Sequence, residues 1–141
     1  MLPCQAYNPV TQQLASCTSA DFGLWSPEQK SVDKHKVPAK ILCCAWTNDG
    51  QYLALGLYNG TVSIRDKAGL EKTAIERSAP IWTMQWNPCL SEANDVLAVG
   101  CWDQTLSFHQ LSGMQARGGP KKGRTRAPYC RALGAKSHRS I

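Results

Sequence analysis

A three-strand unit recurs along this chain about every 40 residues, and this repeat constrains the fold more than any other feature. Its clearest copy covers residues 46–66, where Asn-Asp-Gly at 48–50 and Asn-Gly at 59–60 separate short apolar or alternating runs. Turn residues flanked by such runs are typical of β-hairpins, and the Asn-Gly pair predicts a type I′ turn. Two hairpins in series predict three antiparallel strands.

Two further copies align with this one at equivalent strand positions. First strands end at Tyr7, Trp46 and Trp86, second strands begin at Leu14, Leu53 and Leu97, and third strands end at Trp25, Arg65 and His109. The spacings are 39 to 44 residues, and the additional residues of the last copy fall in a turn region at 89–95. A period of about 40–45 residues with three or four short strands per unit predicts an all-β chain of β-propeller blades.

The predicted blades cover residues 1–35, 36–78 and 79–113. The alternating segment 71–75 predicts an outer edge strand in the second blade, whereas the polar stretch 28–40 is compatible with a weak fourth strand or a loop. A closed propeller needs about four to eight blades. Three predict an open arc with two uncovered end faces, so we expect the isolated chain to be aggregation-prone, oligomeric or only partly ordered.

The positive charge is confined to the end of the chain. Residues 1–113 hold eight Lys and Arg against all ten acids, whereas residues 114–141 hold eight and no acid. This tail has few large apolar groups, so we expect it to be disordered and unrelated to the repeats. Its basic stretch at 121–126 predicts only salt-sensitive, non-specific binding to acidic surfaces or nucleic acid, and no specific nucleic-acid partner is predicted.

Nothing in the sequence predicts an enzyme, a cofactor or a small-molecule ligand. There is no phosphate-binding loop, no paired-carboxylate motif and no Ser-His-Asp order. Seven cysteines include no Cys-x-x-Cys pair, and Cys43 and Cys44 should point to opposite faces of a strand. We therefore predict buried free thiols and no metal site.

The sequence also predicts a soluble intracellular protein without membrane insertion. No run approaches the roughly 18 apolar residues that span a bilayer, and the N-terminus lacks the basic and apolar regions of a secretory signal.

The five tryptophans differ in how they relate to the repeat. Trp46 and Trp86 recur at unit spacing, so we expect them to pack between blades. Trp82 and Trp102 do not recur, so we expect them on an exposed rim. Aromatic residues are enriched in protein interfaces, which makes Trp82 and Trp102 the candidate partner-contact residues.

The units resemble WD40 repeats. Residues 53–66 follow that family's second strand, Asn-Gly turn and third strand, with Arg-Asp at 65–66 in place of Trp-Asp. Ser16, Asp21 and Trp25 match three members of the family's buried hydrogen-bonded tetrad. The fold implied by the resemblance is a partial WD40 β-propeller.

The second unit departs from the family pattern. His35 stands about where this unit's tetrad histidine belongs, but Leu55 and Arg65 replace the serine and tryptophan. We therefore expect this unit to depend on apolar packing by Trp46, Leu53 and Ile64.

Three segments, residues 21–32, 46–56 and 106–113, also resemble the N-terminal WD region of a subunit of intraflagellar transport complex A. The resemblance implies a non-catalytic interaction scaffold in retrograde ciliary transport, cilium assembly and ciliary protein trafficking. It implies other complex A subunits as partners, and a location in the cytoplasm, cilium and basal body. Because the tail does not resemble that region, the alternative is a truncated or alternatively spliced product without a transport function, whose tail binds acidic surfaces or nucleic acid.

Overall fold

A computed structural model describes residues 4–88 and 95–111, within which eleven strands form three antiparallel sheets. The first sheet contains β1 (Gln5–Asn8), β2 (Gln13–Cys17), β3 (Asp21–Trp25) and β4 (Asp33–Lys36). The second contains β5 (Ile41–Trp46), β6 (Tyr52–Leu57), β7 (Thr61–Asp66) and β8 (Glu71–Glu76). The third contains β9 (Ile81–Trp86), β10 (Asp95–Cys101) and β11 (Leu106–Leu111). The predicted all-β class is confirmed.

The polar stretch 28–40 contributes a strand, because β4 pairs with β3 along its whole length. The predicted insertion at 89–95 falls almost entirely outside the described residues, and so does the basic tail at 114–141. Within the described residues, no helix has the length and apolar character needed to cross a membrane.

Equivalent cross-strand partners recur in the three sheets, as the repeat alignment predicts. In each sheet a residue of the second strand pairs with the end of the first strand and with the third strand. The three sets are Tyr7–Leu14–Trp25, Trp46–Leu53–Arg65 and Trp86–Leu97–His109. The period counted in the sequence therefore corresponds to one sheet.

Two apolar clusters each join consecutive sheets. The first cluster contains Ala15, Cys17, Phe22 and Leu24 of the first sheet and Ile41, Trp46, Leu53, Leu55 and Leu57 of the second. The second cluster contains Ala54, Val62, Ile64 and Ile75 of the second sheet and Ile81, Met84, Trp86, Leu97, Val99 and Cys101 of the third. The middle sheet is thus covered on both faces, which explains the uninterrupted apolar run along β6.

Small residues on β6 allow the third sheet to approach closely. Successive side chains of a strand point to opposite faces, so Leu55 joins the first cluster while Ala54 joins the second. At Gly56, a Cβ atom would lie 2.5 Å from the Cys43 sulfur and 2.7 Å from the Ile81 side chain. Glycine is therefore required at this position by packing.

Two tryptophans fasten neighbouring sheets with the same hydrogen bond. Trp46 Nε1 donates to the Ala6 carbonyl at 3.1 Å, and Trp86 Nε1 donates to the Ala45 carbonyl at 3.2 Å. Both side chains are buried, which confirms their predicted packing between blades. Tyr7 occupies the equivalent position of the first sheet and is 58% exposed, with no earlier sheet among the described residues to cover it.

Two asparagines form a second repeated link. Asn8 is fully buried; its Nδ2 donates to the Gly50 carbonyl at 2.9 Å, and its Oδ1 accepts two backbone N–H groups of its own turn at 3.1 and 3.2 Å. Asn48, 40 positions later, donates to the Asn87 carbonyl of the third sheet. Gly50 has a φ of +70°, and a Cβ there would lie 2.5 Å from the Asn8 oxygen.

The type I′ turn predicted at 59–60 is wrong. A three-residue loop joins β6 to β7, with the Gly60 N–H donating to the Leu57 carbonyl at 3.2 Å. A type I′ turn needs positive φ at both central residues. Asn59 does not have it, and the left-handed conformation falls on Gly60 at +89°. The Asn59 side chain instead accepts the Thr61 N–H at 3.1 Å.

Candidate partner-binding surface

Three exposed aromatic side chains contact one another at the junction of the second and third sheets. The Trp82 and Trp102 ring centroids are 5.3 Å apart, and Tyr58 lies 6.2 Å from Trp102, both pairs in edge-to-face geometry. Trp82 is 64% exposed, Tyr58 53% and Trp102 51%. We call these three residues the aromatic surface. The structure thus brings together the two tryptophans that the sequence singled out.

A β-bulge turns Trp82 outward. In the pairing of β9 with β10, Ile81 lies opposite Cys101 and Thr83 opposite Gly100, which leaves Trp82 without a cross-strand partner. An additional residue in one strand shifts the alternation of faces. Ile81 therefore joins the buried second cluster while Trp82 faces solvent.

Hydrogen bonds hold the turn that carries Trp102. The Trp102 N–H donates to the Pro80 carbonyl at 3.0 Å. The Asp103 carboxylate accepts the Thr105 hydroxyl at 2.5 Å and the Ser78 hydroxyl at 2.9 Å. These two hydrogen bonds lower the pKa of the Asp103 carboxyl below its ordinary value. The turn is consequently tied to the segment that precedes β9, so the indole is presented in a defined position.

Tyr58 is the member of the aromatic surface that the sequence prediction missed. It follows the last residue of β6 just as Trp102 follows the last residue of β10, so the two occupy equivalent hairpin turns. Its backbone N–H donates to the Lys40 carbonyl at 2.8 Å. A comparison of turn positions between units, in addition to strand positions, would have identified it.

The three residues of the first unit that match the family's tetrad do not form a buried network. Ser16 is exposed and Trp25 is 40% exposed. Asp21 instead accepts the Thr18 hydroxyl at 2.6 Å inside the exposed turn between β2 and β3. Matching residue types at the family's positions do not create the network here, because the side chains are not enclosed.

The second sheet has a polar network that the sequence did not predict. Arg65 Nε donates to the Ser63 hydroxyl at 3.0 Å, the Ser63 hydroxyl donates to Glu71 at 2.5 Å, and Arg65 pairs with Glu71 at 3.3 Å. The Arg65 guanidinium also lies 5.4 Å from the centre of the Phe22 ring in the first sheet. The expectation that this unit depends on apolar packing is therefore incomplete, although Trp46, Leu53 and Ile64 are buried as predicted.

The predicted tetrad histidine, His35, belongs to β4 of the first sheet. Its ring stacks on Phe22 at 5.1 Å and 25°, and a Cβ atom on Gly69 would lie 2.3 Å from its Nε2. It therefore packs against the turn between β7 and β8 of the second sheet, where it covers the Phe22 ring.

The third sheet places a histidine at the position equivalent to Arg65. His109 Nε2 lies 2.8 Å from the Ser107 hydroxyl, and both residues are buried. Burial, with a smaller contribution from the positive charge of Arg77, lowers the pKa of His109 to about 4. The imidazole is therefore neutral at physiological pH.

Cys43 and Cys44 point to opposite faces of β5, as predicted. Cys43 packs against the second cluster and Cys44 against the first. The Cys44 sulfur and those of Cys4 and Cys17 all lie within 4.8 Å of one another. Sequence spacing gave no indication of this group, because the three thiols come from different parts of two sheets.

This succession of antiparallel sheets, joined face to face through shared apolar clusters, is the arrangement of WD40 β-propeller blades. A chain in the crystal structure of the mitotic checkpoint complex superposes with a TM-score of 0.67 at 19% identity, covering 88% of this chain and 38% of that one. The Cps50 (Swd1) β-propeller domain of Myceliophteria thermophila superposes with a TM-score of 0.65 at 19% identity, covering 78% and 36%. The predicted partial propeller is confirmed at the level of the fold.

The family model described as the IFT122 first beta-propeller matches residues 2–137, and the chain belongs to this family. It is 62% identical over 133 residues to the intraflagellar transport protein 122 homolog of Danio rerio, covering 92% of this chain and 11% of that protein. It is 65% identical over 118 residues to the homolog of Xenopus tropicalis, covering 81% and 10%. The chain thus spans about a tenth of the length of these relatives.

Proposed function

We propose that this chain is a non-catalytic protein-interaction scaffold and that the aromatic surface binds a partner protein. The observation that carries the proposal is the contact of three half-exposed aromatic rings on two hairpin turns and a bulge, which backbone hydrogen bonds hold in place. Trp and Tyr dominate the binding energy of protein interfaces. Rings that are already positioned lose little conformational entropy on binding.

The proposed partners are other subunits of intraflagellar transport complex A. Support comes from the family and from relatives that are named intraflagellar transport proteins. The proposed role is in retrograde ciliary transport, cilium assembly and ciliary protein trafficking, in the cytoplasm, the cilium and its basal body.

Capture of complex A subunits by the full chain tests this proposal. Replacing Trp82 and Trp102 together by alanine should lower the amount captured at least about tenfold, since hot-spot aromatic residues contribute about 2 kcal/mol or more each. Trp25→Ala is the matched control, because Trp25 is also an exposed tryptophan and lies in the first sheet. Equal capture by the double variant and the unmodified chain would refute the role of the aromatic surface.

A second candidate function rests on the charge of residues 114–141, which hold eight basic and no acidic residues. In this alternative, the tail binds acidic surfaces or nucleic acid without a transport role. One variant of the full chain distinguishes the scaffold function from this alternative. It replaces Lys121, Lys122, Arg124 and Arg126 by glutamine. Capture of complex A subunits that persists in this variant and in high salt favours the scaffold, whereas loss under both conditions favours the tail.

A further inference from the structure

Three thiols converge where the first sheet meets the second. Cys4 immediately precedes β1, Cys17 ends β2, and the Cys17 N–H donates to the Cys4 carbonyl at 2.9 Å. Cys44 reaches the same point from β5 of the second sheet. The three sulfur atoms lie within 4.8 Å of one another; Cys17 is buried, and Cys4 and Cys44 are partly buried.

This spacing suits a metal ion bound by sulfur. A Zn–S bond is about 2.3 Å long, so three thiolates around one ion are roughly 3.8–4 Å apart. Bringing the sulfur atoms from within 4.8 Å to that separation needs side-chain shifts smaller than one bond length. Thiolates select soft ions such as Zn²⁺ and Cu⁺. We propose that Cys4, Cys17 and Cys44 bind one thiophilic d¹⁰ cation, which links the first two sheets.

Binding of the ion requires the thiols to lose their protons, because the thiolate is the form that coordinates a metal. The affinity of the site should therefore rise with pH. Cys4 and Cys44 are partly exposed, which gives the ion a path of entry.

Cys43 provides a matched control within the same strand. It is adjacent to Cys44 but lies on the opposite face, where its thiol approaches the Ile81 carbonyl at 4.0 Å. Burial raises the pKa of the Cys43 thiol to about 12. Cys43→Ser therefore removes a thiol of similar burial from the same strand without touching the proposed site.

The test uses the full reduced chain under anaerobic conditions, titrated separately with Zn²⁺ and with Cu⁺ against a competing chelator. We expect about one ion per chain, with X-ray absorption showing sulfur neighbours at about 2.3 Å for zinc. Co²⁺ should give the charge-transfer bands of thiolate ligation. The two titrations show which of the two ions the site prefers.

Cys4→Ser and Cys44→Ser should abolish this binding, whereas Cys43→Ser should retain it. Because a serine at a buried position can unfold the chain, circular dichroism checks that each variant is folded. X-ray absorption of the unmodified chain tests for sulfur ligands without any substitution. Replacing Cys89 and Cys130, which lie outside the described residues, should leave the binding intact. The proposal is overturned if the reduced chain takes up neither ion, if Cys43→Ser loses binding equally, or if the Cys89 and Cys130 variants lose it.

Discussion

The strongest test of the fold is to remove the tryptophan that fastens the second and third sheets. Trp86 is 3% exposed, belongs to the second cluster and donates its Nε1 proton to the Ala45 carbonyl at 3.2 Å. Trp86→Ala removes both the apolar body and the donor. We expect a loss of about 3–5 kcal/mol in the free energy of unfolding, the usual range for a buried tryptophan.

A milder substitution separates the two contributions. Trp86→Phe keeps most of the ring volume but leaves the Ala45 carbonyl without its partner, which should cost about 1–3 kcal/mol. Trp82→Ala is the control, since Trp82 lies on the same strand and is 64% exposed. Its edge-to-face contact with Trp102 is worth at most about 0.5–1.5 kcal/mol.

Urea unfolding followed by circular dichroism, at one protein concentration for all variants, measures these differences. The expected order of destabilisation is Trp86→Ala, then Trp86→Phe, then Trp82→Ala. If Trp82→Ala lowers the urea midpoint as much as Trp86→Ala, the burial and the hydrogen bond assigned to Trp86 do not determine stability. Equal midpoints for Trp86→Phe and the unmodified chain would show that the hydrogen bond of the indole does not contribute to stability.

Two further perturbations test the buried polar groups. Burial lowers the pKa of His109 to about 4 in the folded chain, whereas the same imidazole binds a proton near pH 6.5 in the unfolded chain. The contribution of neutral His109 to the free energy of unfolding is therefore complete above about pH 6.5. It should fall by about 2–3 kcal/mol between about pH 7 and pH 4.5. Urea midpoints across this range measure the loss, and His109→Gln should flatten it; an unchanged slope in that variant would contradict the assignment. Asn8→Ala leaves the Gly50 carbonyl without its donor and should cost about 1–3 kcal/mol. The exposed Asn59→Ala should cost less than about 0.5 kcal/mol, and equal urea midpoints for the two asparagine variants would refute the link.

The sequence predicts the framework because the framework is local and repeated. Hairpin turns and alternating runs fix each meander, and the recurrence of Trp46 and Trp86 at equivalent positions indicates where sheets meet. Turn geometry was less predictable. At 58–60 the chain forms a three-residue loop, because Gly60 alone supplies the left-handed conformation that a type I′ turn would have required of Asn59 as well.

The hydrogen-bond partners of the polar groups were predicted least well, because they depend on how neighbouring strands are placed. Arg65 was expected only to remove the family's tetrad, yet it reaches Ser63 on its own strand and Glu71 on the next. Conversely, Ser16 and Trp25 carry the expected residue types but remain exposed. Enclosure, which depends on neighbouring elements, determines whether a polar residue joins a buried network.

The aromatic surface and the interface between the second and third sheets are physically coupled. Tyr58 belongs to the second sheet's hairpin turn, whereas Trp102 belongs to the third sheet's, so their contact exists only while the two sheets are joined. Trp86 and Asn48 fasten that interface from β9 and from the turn after β5. Variants that weaken it should therefore reduce partner binding as well as stability, whereas Trp102→Ala should reduce binding with little change in stability. This difference separates residues that position the surface from residues that form it.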